Sequence, residues 1–147
     1  KSDMSEIIAQ VNNLLSTYHV FYLNVRGYHW NVKGEHFFTL HPKFEELYTS
    51  LQLQIDEIAE RILTLGGTPL HAYSDFTQHT SISEDKNVKD GTSCVKGVVT
   101  GLQALIAEQR QVSALAEESE DQGSADLIDA YVQEQEKLVW MYNAFLG

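Results

Sequence analysis

The chain is expected to fold as one all-α domain, a bundle of four long helices with a long crossover between the second and third that carries a short helix of its own. Three observations predict this. Apolar residues return at three- and four-residue steps, the period of one helix face, in four separate stretches. Two of the breaks between those stretches are short, whereas the middle one runs from Thr68 to about Gly91, too long for a tight turn. The 147 residues, 43% of them hydrophobic, suffice for a single domain over 1–147, since a chain near 150 residues buries roughly two-thirds of its extended surface.

Ile7, Ile8, Val11, Leu14, Leu15, Tyr18, Tyr22 and Val25 mark the first helix, from about Ser5 to Val32, and Lys33-Gly34 breaks it. The period resumes in "FFTLHPKFEELYTSLQLQIDEIAERILTL", where Pro42 must lie near the helix start because it lacks the N–H that an interior turn needs. Gly66-Gly67 followed by Pro69 stops this second helix near Leu65. The crossover contains "SDFTQHT" as a short helix. Val95, Val98, Val99, Leu102, Leu105, Ile106, Val112 and Leu115 mark the third long helix, and "ESEDQGSAD" interrupts it. Leu127, Tyr131, Leu138, Met141, Tyr142 and Phe145 mark the fourth, with Ser124 as its expected N-cap.

Short, long and short connections between long helices fit the ferritin-like arrangement of a four-helix bundle. Such bundles can hold a di-iron centre in the core, built from a glutamate on each of two helices and Glu-x-x-His on the other two. No glutamate here is followed three residues later by histidine; Glu134 leads to Lys137 and Glu57 to Glu60. The usual centre inside the bundle is therefore not expected.

A different set remains: His29, His41, Asp56 and Glu60. On the second helix the last three share a sector of about 100° at ~100° per residue. His41 and Asp56 would nevertheless stand ~22 Å apart along the axis, against metal–ligand bonds of ~2 Å. One chain cannot close such a site. Two copies packed antiparallel through this face would bring His29 and His41 of one opposite Asp56 and Glu60 of the other, giving two symmetric sites with mixed nitrogen and oxygen ligands.

These residues carry a resemblance. "YHWNVKGEHFFTLHPKFEELY" with "IDEIAERILTLGG", and "LVWMYNAFLG" further on, resemble the Dps family of bacterial mini-ferritins, or Dps-like peroxide resistance proteins, over essentially the whole chain. The resemblance implies a homododecameric shell and ferroxidase sites at twofold interfaces, with His29, His41, Asp56 and Glu60 at the ligand positions. It also implies oxidation of Fe(II), preferentially by hydrogen peroxide rather than oxygen, and storage of ferric mineral inside, which protects the cell from oxidative damage. It places Trp30 beside the iron, Glu45 and Glu46 as carboxylates that start mineral growth, and Asp121, Asp126 and Asp129 near an entry pore, with Asp126 the best-matched position.

Each residue has a plainer alternative. His29 continues the stripe Leu15–Tyr22–His29 and could be a hydrogen-bonded core histidine. Asp56 and Glu60 could be a solvated helix face or partners of Arg61. Trp30 could be a packing ring, and Glu45, Glu46 a solvated face. Asp121, Asp126 and Asp129 could merely complement the dipole at a helix start. His19, His36, His71 and His79 lack comparable carboxylates and are expected to be structural or solvent-facing.

Ten Lys+Arg against 21 Asp+Glu give a formal net charge of −11, which attracts cations and repels polyanions, so DNA is not expected as a partner of the fold. The alternative is a DNA-compacting member of the family acting through lysine-rich tails, but Lys1 is the only basic residue before Arg26. No apolar run approaches the roughly 20 residues of a membrane span, and "KSDMSEIIAQ" lacks the pattern of a secretory signal. With a single cysteine, Cys94, a cytoplasmic location is expected.

Overall fold

The computed structural model describes residues 4–147; Lys1 lies outside them. Five helices account for the architecture: α1 (Met4–Asn31), α2 (Phe37–Thr64), the short α3 (Tyr73–His79), α4 (Gly91–Glu118) and α5 (Gln122–Leu146). No β-strand occurs among the described residues, and none of their helices is long and apolar enough to cross a membrane.

The contacts between helices fix their directions. Tyr18 reaches Gln109, while Tyr28 packs at Gly97 and Phe21 at Gly101, so α1 and α4 run antiparallel. Arg61 meets Ser124, Glu57 meets Tyr131 and Gln54 meets Glu134, so α2 and α5 are antiparallel too. Consequently α2 and α4 point the same way, and the chain must travel back the length of the bundle between them. It does so along α1: Asn12 holds Thr68 and Leu70, His19 stacks on Phe76 at 3.9 Å, and Asn24 holds Ser83 and Asp85. Gly97 and Gly101 permit the close approach of α1 to α4, because a Cβ at either would collide with the Tyr28 phenol or the Phe21 ring.

Two boundaries differ from expectation. The N-cap of α5 is Asp121, not Ser124: the Asp121 carboxylate accepts from the Ser124 backbone N–H, which makes Ser124 the third residue of the helix. Pro42 is the sixth residue of α2 rather than part of its first turn. It leaves the carbonyl of Phe38 without an intrahelical donor, a loss tolerated because Phe38 is exposed and water can donate instead.

Candidate metal centre

Where a bundle di-iron centre would lie, between the facing helices, the core holds neutral groups. The Tyr18 hydroxyl donates to Gln109 Oε1 at 2.6 Å and accepts from Gln135 Nε2 at 3.0 Å; Gln109 Nε2 donates to Gln135 Oε1 at 2.7 Å. Gln54 joins at the edge and donates to Glu134 at 3.0 Å. Burial raises the Tyr18 phenol far above its ordinary pKa, so the phenol and the amides it bonds stay uncharged. Its amides were not foreseen from the sequence; the available signal was glutamine recurring inside apolar stripes, as Gln109 does between Leu105 and Val112.

The imidazoles are arranged differently. His29 lies in the last turn of α1, where backbone carbonyls lack intrahelical partners. The N–H of Lys33, which would reach the His29 carbonyl in a longer helix, instead donates to Lys89. His41 Nδ1 takes up the vacant acceptor at 2.7 Å, and His29 Nδ1 reaches the His41 carbonyl at 2.6 Å. The rings stack with centroids 3.9 Å apart and 11° between planes. A carbonyl can only accept, so both Nδ1 atoms are the protonated ones in the neutral rings, and both Nε2 lone pairs are left for another partner. Reciprocal bonds of this kind are what orient a metal-binding histidine and set its tautomer. The donor set thus fits a divalent cation, with His29 only 7% exposed.

Asp56 and Glu60 lie exposed on α2, remote from these rings in their own chain. Arg61 does not hold them; it pairs with Asp121 at 2.7 Å and Ser124 at 2.9 Å. Among the described residues, no three His, Cys, Asp or Glu side chains of one chain converge closely enough to bind a metal. Leu53, Asp56, Glu60 and Leu63 fall within about 80° of the α2 surface, and both leucines are more than half exposed, as are Leu23 and Trp30 on α1. Exposed leucines therefore flank the carboxylates on α2, and Leu23 and Trp30 leave further apolar surface on the exposed face of α1.

The other nominated residues divide. Trp30 lies in this face, its indole under the Arg26 guanidinium at 4.7 Å. Glu45 and Glu46 are exposed one turn beyond His41, and Glu46 pairs with Lys43 at 3.2 Å. Asp126 and Asp129 are exposed near the start of α5, bonded to Gln122 and Ser113. Asp121 is not available to line a pore: it is buried, caps α5 and holds Arg61. Burial pushes its pKa up, but the bonds from Ser124 and Arg61 outweigh that and hold it below the ordinary carboxylate value. Cys94 is buried and its thiol is pushed up to about 11, mainly by desolvation, which makes it unreactive.

Known proteins are similar to this chain over nearly its whole length. The model of the ferritin-like domain matches residues 8–147. A DNA protection during starvation protein of Brevibacillus brevis is 37% identical over 99% of this chain and 99% of its own, and one of Porphyromonas gingivalis is 36% identical over 99% and 91%. The crystal structure of the Dps protein of Vibrio cholerae O1, a member of the ferritin-like diiron-carboxylate superfamily, superposes with a TM-score of 0.95 at 50% identity, covering 97% of this chain and 89% of that one. With a ferritin-like model matching residues 8–147 and this degree of likeness to Dps proteins, the chain belongs to the ferritin-like proteins, within the Dps family.

Proposed function

We propose that the protein oxidises Fe(II), preferentially with hydrogen peroxide, at sites shared between two subunits, and stores the ferric product inside a shell of twelve. The observation that carries this is the reciprocal hydrogen bonding of His29 and His41, which engages both Nδ1 atoms and leaves two Nε2 lone pairs for another partner. The partner's copies of Asp56 and Glu60 would complete the set. Imidazole suits Fe(II) and carboxylate suits Fe(III), so the mixed set binds substrate and tolerates product. Two Fe(II) ions give one electron each to one peroxide, whose O–O bond breaks with uptake of two protons to give two waters; no hydroxyl radical is released. Glu45 and Glu46 would serve mineral growth, and Asp126 with Asp129 iron entry.

Protection on this reading works through iron chemistry. With a net charge of −11 the chain repels phosphates, and DNA affinity requires cations that release counterions. Stopped-flow oxidation of Fe(II) by peroxide and by oxygen, with particle mass measured on the same preparation, tests the proposal. Peroxide should be the faster oxidant on a particle of twelve subunits; rates indistinguishable from protein-free Fe(II) would end the reading.

A further inference from the structure

We infer that Arg26 sets the charge of this site: it is a cation fixed beside the imidazole pair that weakens the hold on metal, and on trivalent iron most. The inference rests on the reading of His29 and His41 as iron ligands.

The Arg26 guanidinium lies over three rings, 4.7 Å from the centroid of Trp30, 5.0 Å from Tyr48 and 5.6 Å from Tyr22, and donates to the Tyr22 hydroxyl at 3.0 Å. Tyr48 in turn sets its ring against His29, 5.3 Å between centroids and 74° between planes. One aromatic ring therefore separates the cation from a ligand. Among the described residues Arg26 makes no ion pair, although Arg61 and Arg110 both do, and its Nε is buried without a hydrogen-bond partner. Among the described residues of its own chain, therefore, no carboxylate neutralises Arg26. Rings fix the position of a guanidinium without neutralising it. The result is a positive charge with a defined place next to a cation site.

Coulomb repulsion grows with the charge of the bound ion. At an effective dielectric between those of protein and water, a fixed cation one ring away weakens binding by about three- to tenfold per unit of metal charge. Trivalent product therefore loses one such factor more than divalent substrate. Carboxylates such as Asp56 and Glu60 bind trivalent iron well and alone would retain it. Arg26 opposes them and lets the oxidised ion move on.

The test uses the assembled shell and Co(II), an ion with ligand-sensitive absorption, added only after any peroxide has been consumed. Arg26→Met removes the charge but keeps an unbranched stem, and Arg26→Lys keeps the charge but loses the planar fork; Arg26→Gln replaces the methionine variant should that one not assemble. The neutral variant should bind Co(II) about tenfold or more tightly than the parent. After a stoichiometric pulse of Fe(II) and peroxide it should regain Co(II) binding several-fold more slowly, whereas the lysine variant should stay near the parent in both. Equal shifts in the neutral and lysine variants would make Arg26 a packing residue and overturn the inference, as would no shift in either. His29→Ala separates the two levels: a Co(II) spectrum insensitive to it means that the imidazole pair is not the metal site. A spectrum lost in His29→Ala but unmoved by Arg26→Met removes only the role of Arg26.

Discussion

Two polar clusters in the same bundle are built in opposite ways. The Tyr18–Gln109–Gln135 cluster is fully buried, neutral and closed, each member donating to or accepting from another. The His29–His41 cluster joins a buried and a half-buried ring, with its Nδ1 atoms satisfied and its Nε2 lone pairs left for another partner. Burying unpaired charge is costly, whereas neutral amides that bond one another can fill a core without penalty. The centre of the bundle thus holds neutral groups, its buried carboxylate Asp121 is paired with Arg61, and on the proposed reading the ionisable ligands lie where a second copy can complete them.

The largest effect should come from breaking the open cluster. His29→Ala with His41→Ala in one chain, or Asp56→Asn with Glu60→Gln in another, should each cut the peroxide-driven rate at least about a hundredfold, because an interaction set made only in the assembled site is removed, while particle mass stays the same. Mixing the two inactive chains before assembly sharpens the comparison. If histidines and carboxylates of one site come from different subunits, a mixed dimer contains one intact site and one doubly damaged site. Random pairing then restores about a quarter of the sites by twofold symmetry. A mixture as inactive as its parents would assign all four ligands to one chain, contrary to the proposal. For the same reason a variant held as a monomer should lose tight Fe(II) binding while staying helical.

Breaking the closed cluster should act on stability alone. Tyr18→Phe deletes one hydroxyl and leaves Gln109 Oε1 and Gln135 Nε2 each short of a partner in a dry core. We expect a loss of about 1–3 kcal/mol in denaturant unfolding, with Fe(II) oxidation by the intact particle unchanged. A fall in oxidation rate without a fall in stability would mean that the core takes part in the chemistry.

The outer cluster was more legible in the sequence than the inner one. Helix period, the Gly66-Gly67 stop and the long polar crossover follow from local rules, and those rules place His41, Asp56 and Glu60 on one face. Local rules are silent on pairing between distant elements. Nothing in the spacing says that His29 would find the carbonyl of His41, that Arg61 would choose Asp121 over Asp56, or that three rings would gather around Arg26. The α5 start was misplaced for a related reason: Asp121 and Ser124 are both good N-cap residues, and the choice fell to Asp121, which also holds an arginine from α2.

That arginine gives Asp121 a pH signature. Its carboxyl is held below the ordinary value in the folded chain. Its contribution to stability is therefore present above the unfolded pKa, near 3.9, and is lost as pH falls through the lower folded value. Asp121→Asn should cost about 1–2 kcal/mol near neutrality by weakening the charge-assisted bond to Arg61, and the gap to the parent should begin to close below about pH 4. Asparagine caps as well as aspartate, so a gap that persists undiminished at pH 3 would show that the loss does not come from the charge.

Asp126 offers the smallest and most selective comparison, because it is an exposed carboxylate three residues from Asp129 and five from the buried Asp121. Asp121 is committed to Arg61, but among the described residues Asp126 is bonded to Gln122 alone, at 2.7 Å within its own helix, so its charge is free to act on the solution. If copies of Asp126 gather around an entry path, their summed field raises the local Fe(II) concentration, and salt at about 0.15 M screens that field within roughly 8 Å. Asp126→Asn should then slow iron uptake by about two- to fivefold at low ionic strength and flatten its dependence on salt, leaving particle mass and unfolding midpoint at parental values. Should uptake at low salt match the parent, the carboxylate is a helix-start residue complementing the dipole of α5, and iron enters elsewhere.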